Sequence, residues 1–305
     1  MKRTKISILI LVSLLTLQTL NAQTTQFTGS LLWKISGKGL KTPSFVFGTH
    51  HLIRSSFADS VPHFWDAFNS TSQAVGEMVL DNMPDMQTKM MQVAMLPEGM
   101  SYSEMLSQEE YTALDEKVKQ LLGVGMDQLG VLHPALISVT AMAQVYAKYD
   151  TEFVSKDHLS IDELVQNAAK EKGNTIIGLE TIEEQIDVLF NSEPIETQAK
   201  SLACMFGNFE SALEGIISLL TKYYIAGKLN EMDILHNTTE ESHCPISTNA
   251  QNALVKNRND NWLKKLPAIM HERPSFIAVG ALHLAGEEGL LFQLDKMGYT
   301  VEAVK

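Results

Sequence analysis

The chain has 305 residues, 45% of them apolar, and 24 Lys and Arg against 36 Asp and Glu, a formal charge of −12 at neutral pH. That suffices for one large domain with a sizeable core, or for two small ones. No basic run follows the first few residues, which argues against a nucleic-acid surface, and the acidity speaks to solubility more than to a partner.

Met1 to Ala22 has the make-up of a secretory signal peptide: Lys2, Arg3 and Lys5 open it, Ile6 to Leu17 is largely apolar, and Leu20-Asn21-Ala22 precedes Gln23. The apolar run is short for a membrane span, and no later stretch is long and apolar enough to cross a bilayer. The expectation is an exported chain, periplasmic or secreted, with no stable membrane span after cleavage. Cys204 and Cys244 then meet an oxidising compartment, where they either form one disulfide or stay as two free thiols. Gln23 to Ser30 is polar and reads as a disordered linker ahead of a domain over 31–305.

That domain opens with a hairpin: a strand over Leu31–Ile35, a turn at Gly37-Lys38-Gly39, and an apolar strand over Ser44–Phe47. Gly48-Thr49-His50-His51 follows, then a short helix over Pro62–Phe68. Ala74 to Leu80 reads as a strand holding Glu77, whose carboxylate amid apolar neighbours needs a partner or a cation unless it faces solvent. Met83, Met86, Met90, Met91, Met95 and Met100 mark a Met-rich stretch, read as a helical core face, with an adaptable groove as the alternative.

Helices are expected over Ser107–Leu122, Leu129–Tyr149 (broken or begun at Pro134) and Ile161–Lys172. A buried strand follows at Asn174–Gly178, and Glu180 falls at its carboxyl end. Thr181 and Glu184 fit a capping box. Glu196 to Leu235 carries apolar residues at helical spacing. Ala253 to Met270 is a further helix, bent at Pro267, whose Arg258 is suited to clamp a carboxylate or a substrate oxyanion.

Near the end, Phe276–Val279 is a strand, Gly280-Ala281-Leu282-His283 a turn, and a helix starts near Gly286 with Glu287 and Glu288 at its positive end. Gly298 suits a C-cap and a closing strand starts near Tyr299. The spacing Gly-x-x-His thus occurs twice, each time straight after an apolar strand. Ligands of open α/β sheets bind at carboxyl ends of strands, so the two turns meet if their strands are neighbours. The pattern predicts an α/β fold with a central mixed sheet flanked by helices, and a large helical insertion over about 83–270 between the terminal βα units. Two imidazoles, His51 and His283, with the carboxylate of Glu77 can hold a divalent ion and leave a position for water.

These residues resemble the TraB/PrgY/GumN family, which is related to Tiki-type metalloproteases and, more distantly, to erythromycin esterase and ChaN-like proteins. The resemblance rests on the two Gly-x-x-His turns, Glu77, GLETIEEQ at 178–185, Arg258-Asn259 with Trp262, and VGALHLAGEEGLL at 279–291. It implies metal-dependent peptide hydrolysis with a divalent ion, manganese, cobalt or zinc. His51, His283 and Glu77 would be ligands or proton handlers. Glu180 would be a further metal-site residue, and Arg258 would steady developing negative charge. His50 departs from the pattern, standing where an aliphatic residue is usual. The rival readings are a non-catalytic binder of a peptide, haem or metal, and an esterase that needs no metal.

Overall fold

The computed structural model describes residues 27–81, 83–148, 159–237, 244 and 247–305; the leader expected at 1–22 lies outside them. β1 (Leu32–Ser36) and β2 (Ser44–Thr49) form the opening hairpin in antiparallel register, Leu32 opposite Phe47. β3 (Gln73–Gly76), β4 (Thr175–Gly178), β5 (Ser275–Gly280) and β6 (Thr300–Ala303) complete one mixed sheet of order β4-β3-β5-β2-β1-β6. Phe27 to Ser30, the end of the stretch expected to be disordered, is ordered: Phe27 packs edge-on to Trp33 and the Ser30 hydroxyl donates to Val304 O.

Four of the strands run parallel, and their carboxyl ends lie level. Gly76 pairs with Gly178 and Ala278, Gly48 with Val279, and Thr49 with Gly280. The two Gly-x-x-His turns therefore leave adjoining strand ends, as the two-turn pattern requires. Two glycines are needed where these turns pass. A Cβ on Gly48 would lie 3.0 Å from the Cα and Cβ of Ala281, and one on Gly280 would lie 3.2 Å from a Glu77 carboxylate oxygen.

The α-helices longer than one turn, in chain order, are α1 (Phe64–Asn69), α2 (Met83–Val93), α3 (Gln108–Leu122), α4 (Pro134–Tyr146), α5 (Ile161–Glu171) and α6 (Ile182–Asn191). After them come α7 (Ile195–Gly207), α8 (Ile216–Ile225), α9 (Leu229–Asn237), α10 (Thr248–Leu254), α11 (Lys256–Glu272) and α12 (Leu290–Lys296). One core surrounds the sheet, with Phe47 stacked on Phe276 and Phe64 edge-on to both. A second core, built on Leu114, Ile137, Leu202 and Phe206, holds α3, α4 and α7 together. Cys204 and Cys244 are disulfide-bonded. Among the described residues no helix is long and apolar enough to cross a membrane.

Several boundaries differ from the sequence reading. β3 ends at Gly76 rather than Leu80, because Gln166 intrudes: its side chain takes Met78 O and Leu80 N, replacing the ladder. β4 is a partly exposed edge strand, not a buried one. The helix expected over 253–270 breaks at Val255, and Pro267 sits inside α11. The last helix starts at Leu290, since Gly286, at φ +72°, first turns the chain back against Asp233. Nor is the Met-rich stretch a core face: Met91 and Met95 are exposed.

Candidate active site

Each parallel strand delivers one side chain just past its carboxyl end: His51 after β2, Glu77 after β3, Glu180 after β4 and His283 after β5. Arg258, on the first turn of α11, reaches into the middle of them. Its Nε and Nη2 donate to the two oxygens of Glu180 at 3.0 and 2.5 Å, and Nη2 also donates to Glu77 Oε2 at 2.6 Å. Nη1 donates to Leu254 O at 3.3 Å and to His283 Nε2 at 3.0 Å. A guanidinium has five N–H groups, so none is left over to meet a substrate oxyanion. In this arrangement Arg258 clamps buried carboxylates, the first of the two roles read from the sequence.

Glu77 Oε1 is the meeting point of the two turns. It accepts the Gly280 N–H at 2.8 Å and lies 3.8 Å from His283 Nε2 and 4.0 Å from His51 Nε2. Both imidazoles are anchored by their other nitrogen. His283 Nδ1 faces Asn259 Oδ1 at 2.8 Å, and the Asn259 amide nitrogen donates to His283 O and Glu288 O. Asn259 Oδ1 is thus the acceptor, His283 carries its proton on Nδ1, and Nε2 keeps a lone pair. His51 Nδ1 lies 3.0 Å from Asp162 Oδ2, whose other oxygen accepts the Thr49 hydroxyl at 2.8 Å.

The electrostatics follow from these contacts. Burial works to raise the pKa of Glu77, but His283, His51 and Arg258 with the Gly280 N–H outweigh it and bring it to about 2. A carboxylate that acidic is an ion-pair partner or a metal ligand rather than a base toward ordinary water. Burial lowers His283 to about 3, against the pull of Glu77, so its ring is neutral. For His51 the loss of solvation also lowers the pKa, yet Asp162 overcomes it and the ring is raised to about 9. That ring is 63% exposed and stands at the mouth of a cavity of about 270 Å³.

Among the described residues no three His, Cys, Asp or Glu side chains are grouped at the spacing of a bound ion. The donor types nevertheless fit a divalent cation at His51, His283 and Glu77, once an ion displaces the His51 proton and Arg258 gives up His283 Nε2. Two imidazole Nε2 atoms face one carboxylate oxygen, and both rings are held from behind, the usual support of metal-ligating histidines. Glu180 does not fit as a ligand, because Arg258 takes both of its oxygens and Trp262 Nε1 also donates to it at 3.2 Å.

The profile of the TraB/PrgY/gumN family matches residues 31–303. The chain belongs to that family. Metalloprotease TIKI2 of Danio rerio is 23% identical over 320 residues, which cover 90% of this chain and 60% of the relative. The chain thus spans about 60% of the length of that relative. No solved structure matches it.

Within this family member, His50 turns away from Glu77. Its ring packs on Tyr146 and Tyr224, with centroids at 5.5 and 5.1 Å, and burial, with neighbouring His51, lowers its pKa to about 4. It is not placed to be a ligand. Tyr224 in turn donates its hydroxyl to Gly48 O at 2.9 Å, bracing the first His turn from α8. Asp162 was missed by sequence reasoning. It directly follows the first residue of α5, after the capping residue Ser160, where an acid reads as complementing the helix dipole. Asn259 was quoted only as part of a motif, and Gln185 Nε2, 3.4 Å from Glu77 Oε2, only as the end of GLETIEEQ.

Proposed function

We propose that the chain is an exported, metal-dependent hydrolase of the peptidase type. The observation that carries this is the convergence of His51 Nε2 and His283 Nε2 on Glu77 Oε1, with each ring anchored at Nδ1. The name of the similar metalloprotease supports the reaction class. The leader at 1–22 and the Cys204–Cys244 disulfide support export.

A divalent ion, manganese, cobalt or zinc, would be held by His51, His283 and Glu77 and would supply an acidified water and a polarised carbonyl. The chain's own groups do the rest. Arg258 keeps Glu77 ionised and aimed, and must release His283 Nε2 for that ring to serve as a ligand. Asn259 fixes the tautomer that presents the Nε2 lone pair. Asp162 orients His51 at the cavity mouth.

The test is elemental analysis of the purified mature protein together with a peptide-cleavage screen, with and without each of the three metals. Bound metal and cleavage that are both lost in His51→Ala and His283→Ala support the reading. Unchanged metal content in both variants removes the metal site. One observation favours the metal-independent hydrolase: His283 Nε2 is already engaged by Arg258. Cleavage that survives thorough chelation selects that alternative.

A further inference from the structure

We infer that the cavity beside His51 and Glu77 receives an apolar side chain of a peptide, next to the bond to be cut. This deepens the hydrolase reading and rests on it. The cavity, about 270 Å³, is lined by His51 and Glu77 together with the apolar Met78, Leu80 and Met86. A cavity of about 150 Å³ already holds benzene when its lining is apolar, so a Leu, Met or Phe side chain fits with room for its backbone.

Most of the polar groups around the cavity are engaged within the protein. Gln166 gives its nitrogen to Met78 O at 2.7 Å and its oxygen to Leu80 N at 2.8 Å. Asp162 holds Thr49 and His51, and Glu163 accepts from the Ser160 backbone and hydroxyl, both at 2.9 Å. Gln185 leans on Glu77. A polar side chain entering here would lose water and find its potential partners already hydrogen-bonded, which is costly. An apolar one loses only water it does not need.

The wall is also built in advance. The two Gln166 bonds fix the segment that carries Met78 and Leu80, while the Lys89–Glu183 ion pair at 2.8 Å ties α2, with Met86, to α6. Two methionines in the wall make it adaptable in shape, so the selection is for apolarity rather than for one side chain.

The experiment has two arms. In the first, a peptide library varied at the positions flanking the cut is offered to the metal-loaded protein. Leu, Met and Phe at one flanking position are expected to exceed Asp, Glu and Lys by at least about tenfold in kcat/KM. Met86→Glu is expected to erase that preference. A preference for acidic or basic residues overturns the inference. In the second arm, methionine methyl NMR follows titration with N-acetyl-leucine amide and N-acetyl-glutamate amide, without reliance on turnover. Shifts of the Met78 and Met86 methyls with the leucine compound alone support the pocket; no shift, or equal shifts with both, overturns it. If no peptide is cut but the methyls respond selectively, the hydrolase reading has failed and the pocket stands.

Discussion

Arg258 and Glu77 are joined by a 2.6 Å hydrogen bond between groups that are 13% and 8% exposed, and the same guanidinium grips Glu180. Removing one partner of a buried ion pair costs about 3–5 kcal/mol, because the other is left charged and dry. Arg258→Ala is therefore expected to lower the denaturant midpoint strongly. Arg258→Lys should fall between it and the parent, since an ammonium cannot fork across two carboxylates. Equilibrium unfolding in urea checks the order.

Gly280→Ala separates activity from stability. Its Cβ would press on Glu77 Oε1 at 3.2 Å and approach His51 Nε2 at 3.7 Å, yet the backbone there, at φ −51°, suits alanine. A shift of a few tenths of an ångström in Glu77 Oε1, where the two imidazoles converge, should lower cleavage by about tenfold, with little change in Tm. Gly48→Ala should do the reverse damage: its Cβ meets the Ala281 backbone, and overpacking of that kind costs about 1–3 kcal/mol.

Asn259→Ala and Asp162→Asn leave the proposed ligands in place but unhook the rings behind them. Loss of such a support typically costs 10–100-fold in metal affinity. Calorimetric titration with manganese should show that weakening in both variants. A change confined to Tm would mean that the contacts only stabilise the fold.

Stability should fall on acidification, in two windows. His50 and His283 have pKa values lowered to about 4 and about 3 by burial. A lowered histidine binds its proton more readily when unfolded, so stability is lost as the pH falls from about 6.5 toward those values. Glu77, lowered to about 2 against the rise that burial alone would cause, adds a loss as the pH falls below about 4.5. His51, raised to about 9 by Asp162, works the other way above about pH 6.5, where its contribution is lost as the pH rises. Urea midpoints should therefore decline from about pH 6 to pH 3, and His50→Phe should flatten the upper window.

Reduction of the Cys204–Cys244 bond frees a loop spanning a sequence separation of 40. The expected cost is about 2–4 kcal/mol, read as a lower Tm in dithiothreitol that the Cys204→Ser/Cys244→Ser double variant reproduces.

The sheet and the pairing of the His turns were legible because short apolar strands ending in glycine have few alternatives. The capping box at Thr181 formed as its sequence dictates, with both reciprocal bonds made. Asp162 was hidden because an acid in the first turn of a helix already has a sufficient local explanation. The early end of β3 was hidden as well, since it depends on Gln166, a residue some ninety positions away whose polarity says nothing of where it docks. Nor does helical spacing reveal which methionines the neighbouring elements cover.

Because β2 meets β5 only across some 230 positions, bridged by Ser275 N to Ser44 Oγ, His51 and His283 cannot face each other until nearly the whole chain has closed. Contacts of such span form late and slowly. A half-folded copy would hold every one of these side chains yet no centre, so the proposed hydrolase would stay idle until the sheet is complete.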